Sequence, residues 1–269
     1  MNPSVENIIA LFEKIAPVSL AEEWDNVGLQ VGQGDWPVQK IWVALDPTPD
    51  VVANACRHDV NLLITHHPLI FKPLKSIDFK TTRGAIIKMA ALHELAIFAA
   101  HTNFDSVSEG LNDCLIKKIG LRNIDVLKDG NIPEKSKAGL GRIGELKKEI
   151  AFRKFITDTK EKLSLSQVKV AGNPELTVKK VAVCTGSGSS LMPEFILSGA
   201  QVFISGDLRY HDATAAEALG LGLLDIGHFQ SEHLFVELVA EKLTQLLAQK
   251  KIDVKIEACK LETDPFRII

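Results

Sequence analysis

Apolar residues recur along the chain with two periods, one typical of helices and the other of strands. The first segment predicts a helix that Ser4 caps and Pro17 ends. Its apolar residues share one face at helical spacing: Val5, Ile8, Ile9, Phe12 and Ile15. The pattern therefore places an amphipathic helix at the start of the chain.

After this helix, apolar runs rich in β-forming residues alternate with helical patterns. The runs "IWVAL", "NLLIT" and "AIFAA" predict strands at 41–45, 61–65 and 96–100. The intervening segments predict a turn and helix at 46–59 and helices at 84–95 and 108–120. This alternation predicts βαβ units with a largely parallel sheet, which is an α/β fold.

The second half of the chain repeats this order of patterns. Residues 181–207 align without a gap with 41–67, and residues 211–232 align with 84–105. The alignment pairs His67 with Asp207, His101 with His228, and Asp105 with Glu232. We therefore predict an internal duplication that gives two related α/β domains.

A polar stretch rich in Gly and Lys, residues 127–146, separates the two halves. It suggests domains at 1–126 and 127–269, the second with a helix near 148–163 and a strand near 167–172. The chain closes with an amphipathic helix and the short run "DVKIEA". The sequence leaves open whether this last strand returns to the sheet of the first domain.

Composition narrows the class of protein. The 269 residues are 46% apolar and 24% charged, which is typical of a globular chain with a sizeable core. The net charge of −3 means that the chain lacks the overall positive charge typical of nucleic-acid-binding proteins, so no nucleic-acid partner is expected. No run approaches the ~18 apolar residues of a membrane span, and no secretory signal is visible. With four cysteines far apart, which we interpret as reduced thiols, the expectation is a cytoplasmic protein without a membrane partner.

Candidate chemistry lies at the predicted strand ends. His66 and His67 follow a strand and precede Pro68, where regular pleating stops and adjacent side chains need not diverge. Two further strands lead into His–carboxylate pairs with a spacing of four residues, His101 with Asp105 and His228 with Glu232. Carboxyl ends of strands in open α/β sheets are where such proteins carry functional groups.

Imidazole and carboxylate donors together suit Zn, Mn, Fe or Co. The candidate set exceeds what one catalytic ion needs, which favours two divalent ions about 3.5–4 Å apart. Each motif alone has a structural alternative. A His before Pro can be a packed turn residue, and Asp105 can cap a helix.

The chain resembles the YbgI-like family, also called Nif-three-like proteins or GTP cyclohydrolase 1 type 2 homologues. The resemblance covers nearly the whole chain and rests on seven motifs in the family's order: "WDNVGLQVG" (24–32), "VALDPT" (43–48), "THHPLIF" (65–71), "HTNFD" (101–105), "TGSGSS" (185–190), "SGDLRYHDA" (205–213) and "GHFQSE" (227–232). It implies two α/β domains with a dinuclear metal site in the cleft between them, and assembly into a homohexameric ring.

The resemblance also implies roles for the candidate residues. His67 and Asp105 would hold one ion, His66 and His228 the other, and Glu232 would bridge them. His101, the candidate catalytic residue, would then lie behind the metal ligands or face the substrate, where it would orient a ligand or move a proton.

Two functions remain open at this point. The first is a metal-dependent hydrolase that acts on a small, nucleotide-like substrate through an activated water, as the family's name implies. The alternative is a non-catalytic metal-binding scaffold or regulatory protein. A surplus of polar groups beyond the ligand count favours the enzyme, and the lack of an unmistakable substrate motif favours the scaffold.

Four other features allow two interpretations each. The Gly-rich loop 185–190 can cradle a phosphate or form a tight structural turn. Arg142 can contribute to that site, although an edge strand with glycine bends is the preferred interpretation. Asp207 and His211 can line the cleft or serve as surface and capping residues. Trp24 can wall a pocket, although the preferred interpretation is a buried anchor.

Overall fold

The computed structural model describes residues 2–130 and 138–267. In chain order these residues form the following main helices and strands: α1 (Val5–Phe12), β1 (Gly28–Val31), β2 (Lys40–Ala44), α2 (Pro49–Arg57), β3 (Leu62–Thr65), α3 (Thr82–Leu92), β4 (Ala96–Ala99), α4 (Thr102–Ser106), α5 (Leu111–Ile119), β5 (Arg122–Asp129), β6 (Gly139–Ala151), α6 (Phe152–Leu163), β7 (Lys169–Ala171), β8 (Thr177–Ser187), α7 (Met192–Leu197), β9 (Val202–Gly206), α8 (Tyr210–Ala218), β10 (Gly222–Asp225), α9 (His228–Glu232), α10 (Leu234–Gln249) and β11 (Lys255–Ala258). The mixed α/β class expected from the sequence is confirmed.

The chain divides into two compact units. The first unit comprises Met1–Phe104 and Phe235–Ile269, and the second comprises Asp105–Leu234. The first unit is therefore built from two segments of the chain. The boundary suggested at residue 126 lies within β5 of the second unit, and residues 131–137 of the polar stretch lie outside the described residues.

The first unit contains a five-stranded sheet in the order β1-β4-β3-β2-β11. All neighbouring pairs are parallel except β1 with β4. The last strand of the chain lies beside β2, with Ala258 opposite Val43. The C-terminal segment thus joins the first sheet. This answers the question, left open by the sequence, of whether the last strand returns to the first domain.

Local signals explain the helices of this unit. Ser4 caps α1 with a reciprocal pair of hydrogen bonds to Asn7, and Thr48 caps α2 just before Pro49. The α1 helix ends near Glu13, earlier than Pro17 predicts. On one face of the sheet, Phe98 packs edge-on against Phe12 with a ring-centroid separation of 5.3 Å.

The second unit contains a six-stranded sheet in the order β5-β6-β8-β9-β10-β7. Strands β8, β9 and β10 are parallel, whereas β5, β6 and β7 pair antiparallel with their neighbours. The largely parallel sheet expected from the sequence is therefore correct only in part here. Strand β6 lies between two partners, so the edge-strand interpretation of the segment around Arg142 is wrong. Because β6 continues to Ala151, α6 begins at Phe152 instead of residue 148.

Alternating residues of β8 face two apolar clusters of the second unit. Val181 and Val183 lie in a cluster with residues of α5 and α6, while Ala182 and Cys184 lie in a cluster with residues of α7 and α8. Both faces of this sheet are therefore covered. Among the described residues, no helix is long and apolar enough to cross a membrane.

Candidate metal centre

The first unit brings three histidines together at the carboxyl ends of two adjacent strands. His66 and His67 follow β3, and His101 follows β4, its parallel neighbour. Each of the three offers a ring nitrogen, and these atoms all lie within 4.8 Å of one another. Two adjacent histidines can thus serve one site because regular pairing of β3 ends at Thr65.

Every one of these histidines has its Nδ1 atom engaged by an oxygen. Nδ1 of His66 lies 2.9 Å from the carbonyl oxygen of Ala100. Nδ1 of His67 lies 2.8 Å from Oδ1 of Asp46, and Nδ1 of His101 lies 2.9 Å from Oδ1 of Asp25. Because these oxygens accept hydrogen bonds, Nδ1 of each ring carries the proton. The lone pair is then on Nε2, which can bind a metal ion or accept a proton from a substrate.

Asp25 anchors this side of the site. Its side chain is wholly buried, which would raise the pKa of the carboxyl. Hydrogen bonds from His101 and Thr102 outweigh burial and lower the pKa to about 2, so the group is a carboxylate near neutral pH. An ionised Asp25 therefore fixes the ring of His101 through its Nδ1 atom.

The second unit supplies a matching His–carboxylate pair on α9. Nε2 of His228 lies 2.8 Å from Oε2 of Glu232, one helical turn further along. Nδ1 of His228 lies 2.8 Å from Oδ2 of Asp207, which repeats the arrangement of the first-unit histidines. Asp207 thus orients His228, whereas His211 packs against the ring of Tyr210 on the surface.

The Gly-rich loop lies directly against this pair. The N–H of Gly186 donates to Oγ of Ser231, and a Cβ at Gly186 would lie 2.0 Å from Oε1 of Glu232. Gly186 also has a positive φ of 63°. The loop therefore acts here as a tight turn that lets the Glu232 carboxylate approach the backbone.

Asp105 belongs to the second unit and is held there by side chains of α5 and β8. Oγ1 of Thr185 donates to Oδ1 of Asp105 over 3.2 Å. The side chain of Asn112 links the carbonyl of Asp105, over 3.1 Å, to the N–H of Thr185, over 2.9 Å. Asp105 is 8% exposed, so its carboxylate is fixed in a nearly dry environment.

Arg142 is a structural residue next to this segment. Its guanidinium pairs with Asp113 over 2.7 Å and donates to the carbonyls of Ser106 and Val107, immediately after Asp105. It is 2% exposed. Because its donors are used by the protein, Arg142 is not directed towards an anion in the Gly-rich loop.

Cys184 lies near the two acidic candidates but belongs to no group of possible metal ligands among the described residues. Burial raises the pKa of its thiol, and the Asp105 and Glu232 carboxylates raise it further. The donors of both units are thus imidazoles and carboxylates, a set that fits Zn, Mn, Fe or Co.

Comparison with known proteins supports the resemblance. The Duf34/NIF3 (NGG1p interacting factor 3) family model matches residues 3–265. The chain belongs to this family. The resemblance stated from the motifs is thereby confirmed.

Relatives of similar length carry the family's enzyme-like name. The chain is 37% identical over 265 residues to a GTP cyclohydrolase 1 type 2 homolog of Clostridium perfringens, covering 98% of this chain and 99% of the relative. Its fold is similar to the crystal structure of a Bacillus cereus protein related to NIF3, with a TM-score of 0.92, 29% identity and full coverage of both chains. A hypothetical protein of Staphylococcus aureus matches at the same TM-score with 31% identity, again over both whole chains.

Three residues of the site were not found by sequence reasoning in the roles they have. Asp25 and Asp46 hold His101 and His67, although each lies more than twenty residues from its partner. Glu262, in the C-terminal segment, accepts the N–H groups of Leu45 and Asp46, each over 2.7 Å. Asp25 and Asp46 lie within two of the seven family motifs, and Glu262 follows β11, but no local pattern marks these roles.

Trp24 corrects another expectation. Its side chain is 58% exposed, so the interpretation as a buried anchor is wrong. The ring lies instead beside His101, with centroids 6.2 Å apart.

Proposed function

We propose that this chain is a metal-dependent hydrolase with a dinuclear centre that acts on a nucleotide-like small molecule. One observation carries the proposal. Four histidines, three in the first unit and His228 in the second, have Nδ1 engaged by a carbonyl or carboxylate. Metal-ligating histidines typically have the other ring nitrogen held in this way. The exposed His58 and His93 also have Nδ1 held by a carbonyl, but only the ring nitrogens of His66, His67 and His101 lie within 4.8 Å of one another in the first unit as described.

The ligand assignment follows the family resemblance. His67 and Asp105 would hold one ion, His66 and His228 would hold the other, and Glu232 would be a ligand of both. The buried carboxylates of Asp105 and Glu232 support the assignment, because buried acids are commonly paired with cations.

Two divalent ions, when bound, would activate a water nucleophile and polarise the bond under attack. His101 acts as the proton-transfer group. Asp25 holds its Nδ1–H, so Nε2 can accept a proton from the nucleophile and return it to the leaving group. The rings of Trp24 and Phe71 lie beside the ring of His101, with centroids 6.2 and 6.4 Å away.

The substrate class is inferred from the relatives' name, which refers to a nucleotide-acting enzyme. An internal duplication would explain why strands in both halves of the sequence lead into His–carboxylate pairs, His101 with Asp105 and His228 with Glu232. The two halves of the chain have the same order of elements, which supports the duplication. This order is β2-α2-β3 and α3-β4-α4 in the first half, and β8-α7-β9 and α8-β10-α9 in the second.

Assembly into a homohexamer is a further part of the proposal. Light scattering on the purified chain tests it.

The decisive experiment combines metal analysis with a substrate screen. The purified chain is reconstituted with Zn²⁺ or Mn²⁺, its metal content is measured, and nucleotides and phosphoesters are tested for hydrolysis. We expect turnover by the wild type and its loss in Glu232→Gln, with the fold retained. Glu237→Gln, an exposed change near the start of α10, is the matched control and should remain active.

Two results would contradict the hydrolase. One is turnover that Glu232→Gln leaves unaffected. The other is stoichiometric metal binding without hydrolysis of any compound in the screen, which would instead favour the non-catalytic metal-binding scaffold.

A further inference from the structure

Two exposed aromatic rings lie beside the histidine cluster of the first unit. Trp24 is 58% exposed and Phe71 is 39% exposed. Their rings meet edge to face, with centroids 5.8 Å apart and an interplanar angle of 63°. Both rings also contact His101, with centroid distances of 6.2 Å for Trp24 and 6.4 Å for Phe71. The three rings together form one corner that opens to solvent.

Side-chain amides hold this corner in place. Nδ2 of Asn26 donates to the carbonyl oxygen of Ile70, and Oε1 of Gln30 accepts the N–H of Ile70 over 3.1 Å. Nε2 of Gln30 also donates to the carbonyl oxygen of Asn26 over 2.9 Å. Both backbone groups of Ile70 are thus bound to the segment that carries Trp24. The neighbouring Phe71 is therefore preorganised next to that ring.

Core packing does not explain this arrangement. A tryptophan that serves the core buries most of its large apolar surface, yet more than half of Trp24 faces water. Exposed aromatic surface that is rigidly held beside polar groups is typical of ligand sites. A flat ring is the ligand that fits, because offset and edge-to-face contacts with aromatic side chains favour planar π systems.

We propose that Trp24 and Phe71 form a subsite that stacks a planar heteroaromatic ring of the purine type and presents the attached group to His101 and its neighbours. This inference rests on the proposed hydrolase function and deepens it by naming the part of the substrate that is recognised. The aromatic corner supplies binding energy, and Nε2 of His101 faces the group that reacts.

Equilibrium binding of GMP and AMP to the full chain tests the subsite, with and without reconstituted Zn²⁺. Trp24→Leu and Phe71→Leu should each weaken binding of both nucleotides roughly 5- to 150-fold, the range expected for losing one base–aromatic stack. Trp24→Phe should retain most of the affinity. Inorganic triphosphate, which has no ring, should bind the wild type and the leucine variants equally.

Phe79→Leu is the matched control, because Phe79 is an aromatic residue of the same unit that is 55% exposed. It should leave GMP and AMP binding unchanged, and all variants should keep the wild-type melting temperature and Zn²⁺ content. Wild-type protein that binds neither nucleotide, or leucine variants that bind within twofold of the wild type, would overturn the subsite. Loss of metal binding or of turnover with nucleotide binding intact would instead count against the hydrolase, so the two failures are distinguishable.

Discussion

Nδ1 of His67 lies 2.8 Å from Oδ1 of Asp46. The two residues follow β3 and β2, which are parallel neighbours, so the ends of the two strands meet at one edge of the sheet. Glu262 in turn accepts the N–H group of Asp46, and burial raises the pKa of Glu262. Three segments distant in sequence thus fix one imidazole.

Asp46→Ala should lower metal affinity about 10- to 100-fold, the usual effect of removing the partner of a ligating histidine. The remaining donors keep the site in place, so metal binding should weaken without unfolding. Competition with a chelator measures the affinity. Asp50→Ala in the first turn of α2 removes the same charge from an exposed position and should bind metal normally. Equal affinities for the two variants would show that Asp46 does not orient His67 for metal binding.

Gly186→Ala should disturb Glu232 as well as the backbone. The added Cβ would lie 2.0 Å from Oε1 of Glu232, and the φ of 63° disfavours any side chain. Gly199 offers the matched control, because its φ of 75° is similar but no atom lies within 4 Å of an added Cβ. Gly199→Ala should cost about 1 kcal/mol from backbone strain alone. Gly186→Ala should cost more in urea unfolding and also weaken metal binding, whereas identical behaviour would refute the close approach.

Arg142→Met should destabilise the second unit strongly. The change leaves the Asp113 carboxylate without its buried partner, which typically costs about 3–5 kcal/mol. Arg153→Met is the comparison, since Arg153 and its partner Glu175 are exposed and such pairs contribute about 0–1 kcal/mol. Denaturant unfolding of both variants measures the difference. Similar decreases in the free energy of unfolding for the two variants would show that the Arg142–Asp113 ion pair does not stabilise the second unit as a buried pair.

Glu257 makes the attachment of β11 sensitive to acid. Hydrogen bonds from Lys255 and from the Trp42 indole lower the pKa of Glu257 from 4.5 to about 2. Its stabilising effect is therefore complete above about pH 4.5 and declines as the pH falls towards 2. Because the side chain is partly exposed, Glu257→Gln should cost only about 0.5 kcal/mol at neutral pH.

The difference in urea midpoint between wild type and Glu257→Gln should shrink between pH 5 and pH 2, by the same linkage. Glu241→Gln, an exposed change in α10, controls for the loss of one negative charge. A midpoint difference that stays constant across this range would contradict the ionised contact with Lys255 and Trp42.

The sequence predicted the elements well where periodicity and capping agreed. Ser4 caps α1 as predicted, and the helix predicted over 108–120 ends at Gly120. The antiparallel pairing of β5 and β6 was missed because residues 127–146 were interpreted as a polar boundary. Strand β5, with the sequence RNIDVLKD, is largely polar and exposed, so it lacks the apolar run that marks the other strands.

Sequence reasoning identified the candidate donors but not what surrounds them. His66, His67 and His101 stood out because they follow strands. Their partners Asp25 and Asp46 did not, since these contacts join segments distant in the chain. The exposure of Trp24 was equally invisible, because burial depends on the packing of elements that no local pattern specifies.

Anomalous X-ray diffraction from crystals grown with Zn²⁺ tests the central claim most directly. The account predicts two anomalous peaks per chain, with Nε2 of His66 and His67 and the carboxylates of Asp105 and Glu232 at about 2.0–2.2 Å from them. Nε2 of His228 should bind the same ion as His66. A map without peaks at these donors, or with Zn²⁺ bound elsewhere on the chain, would contradict the dinuclear centre.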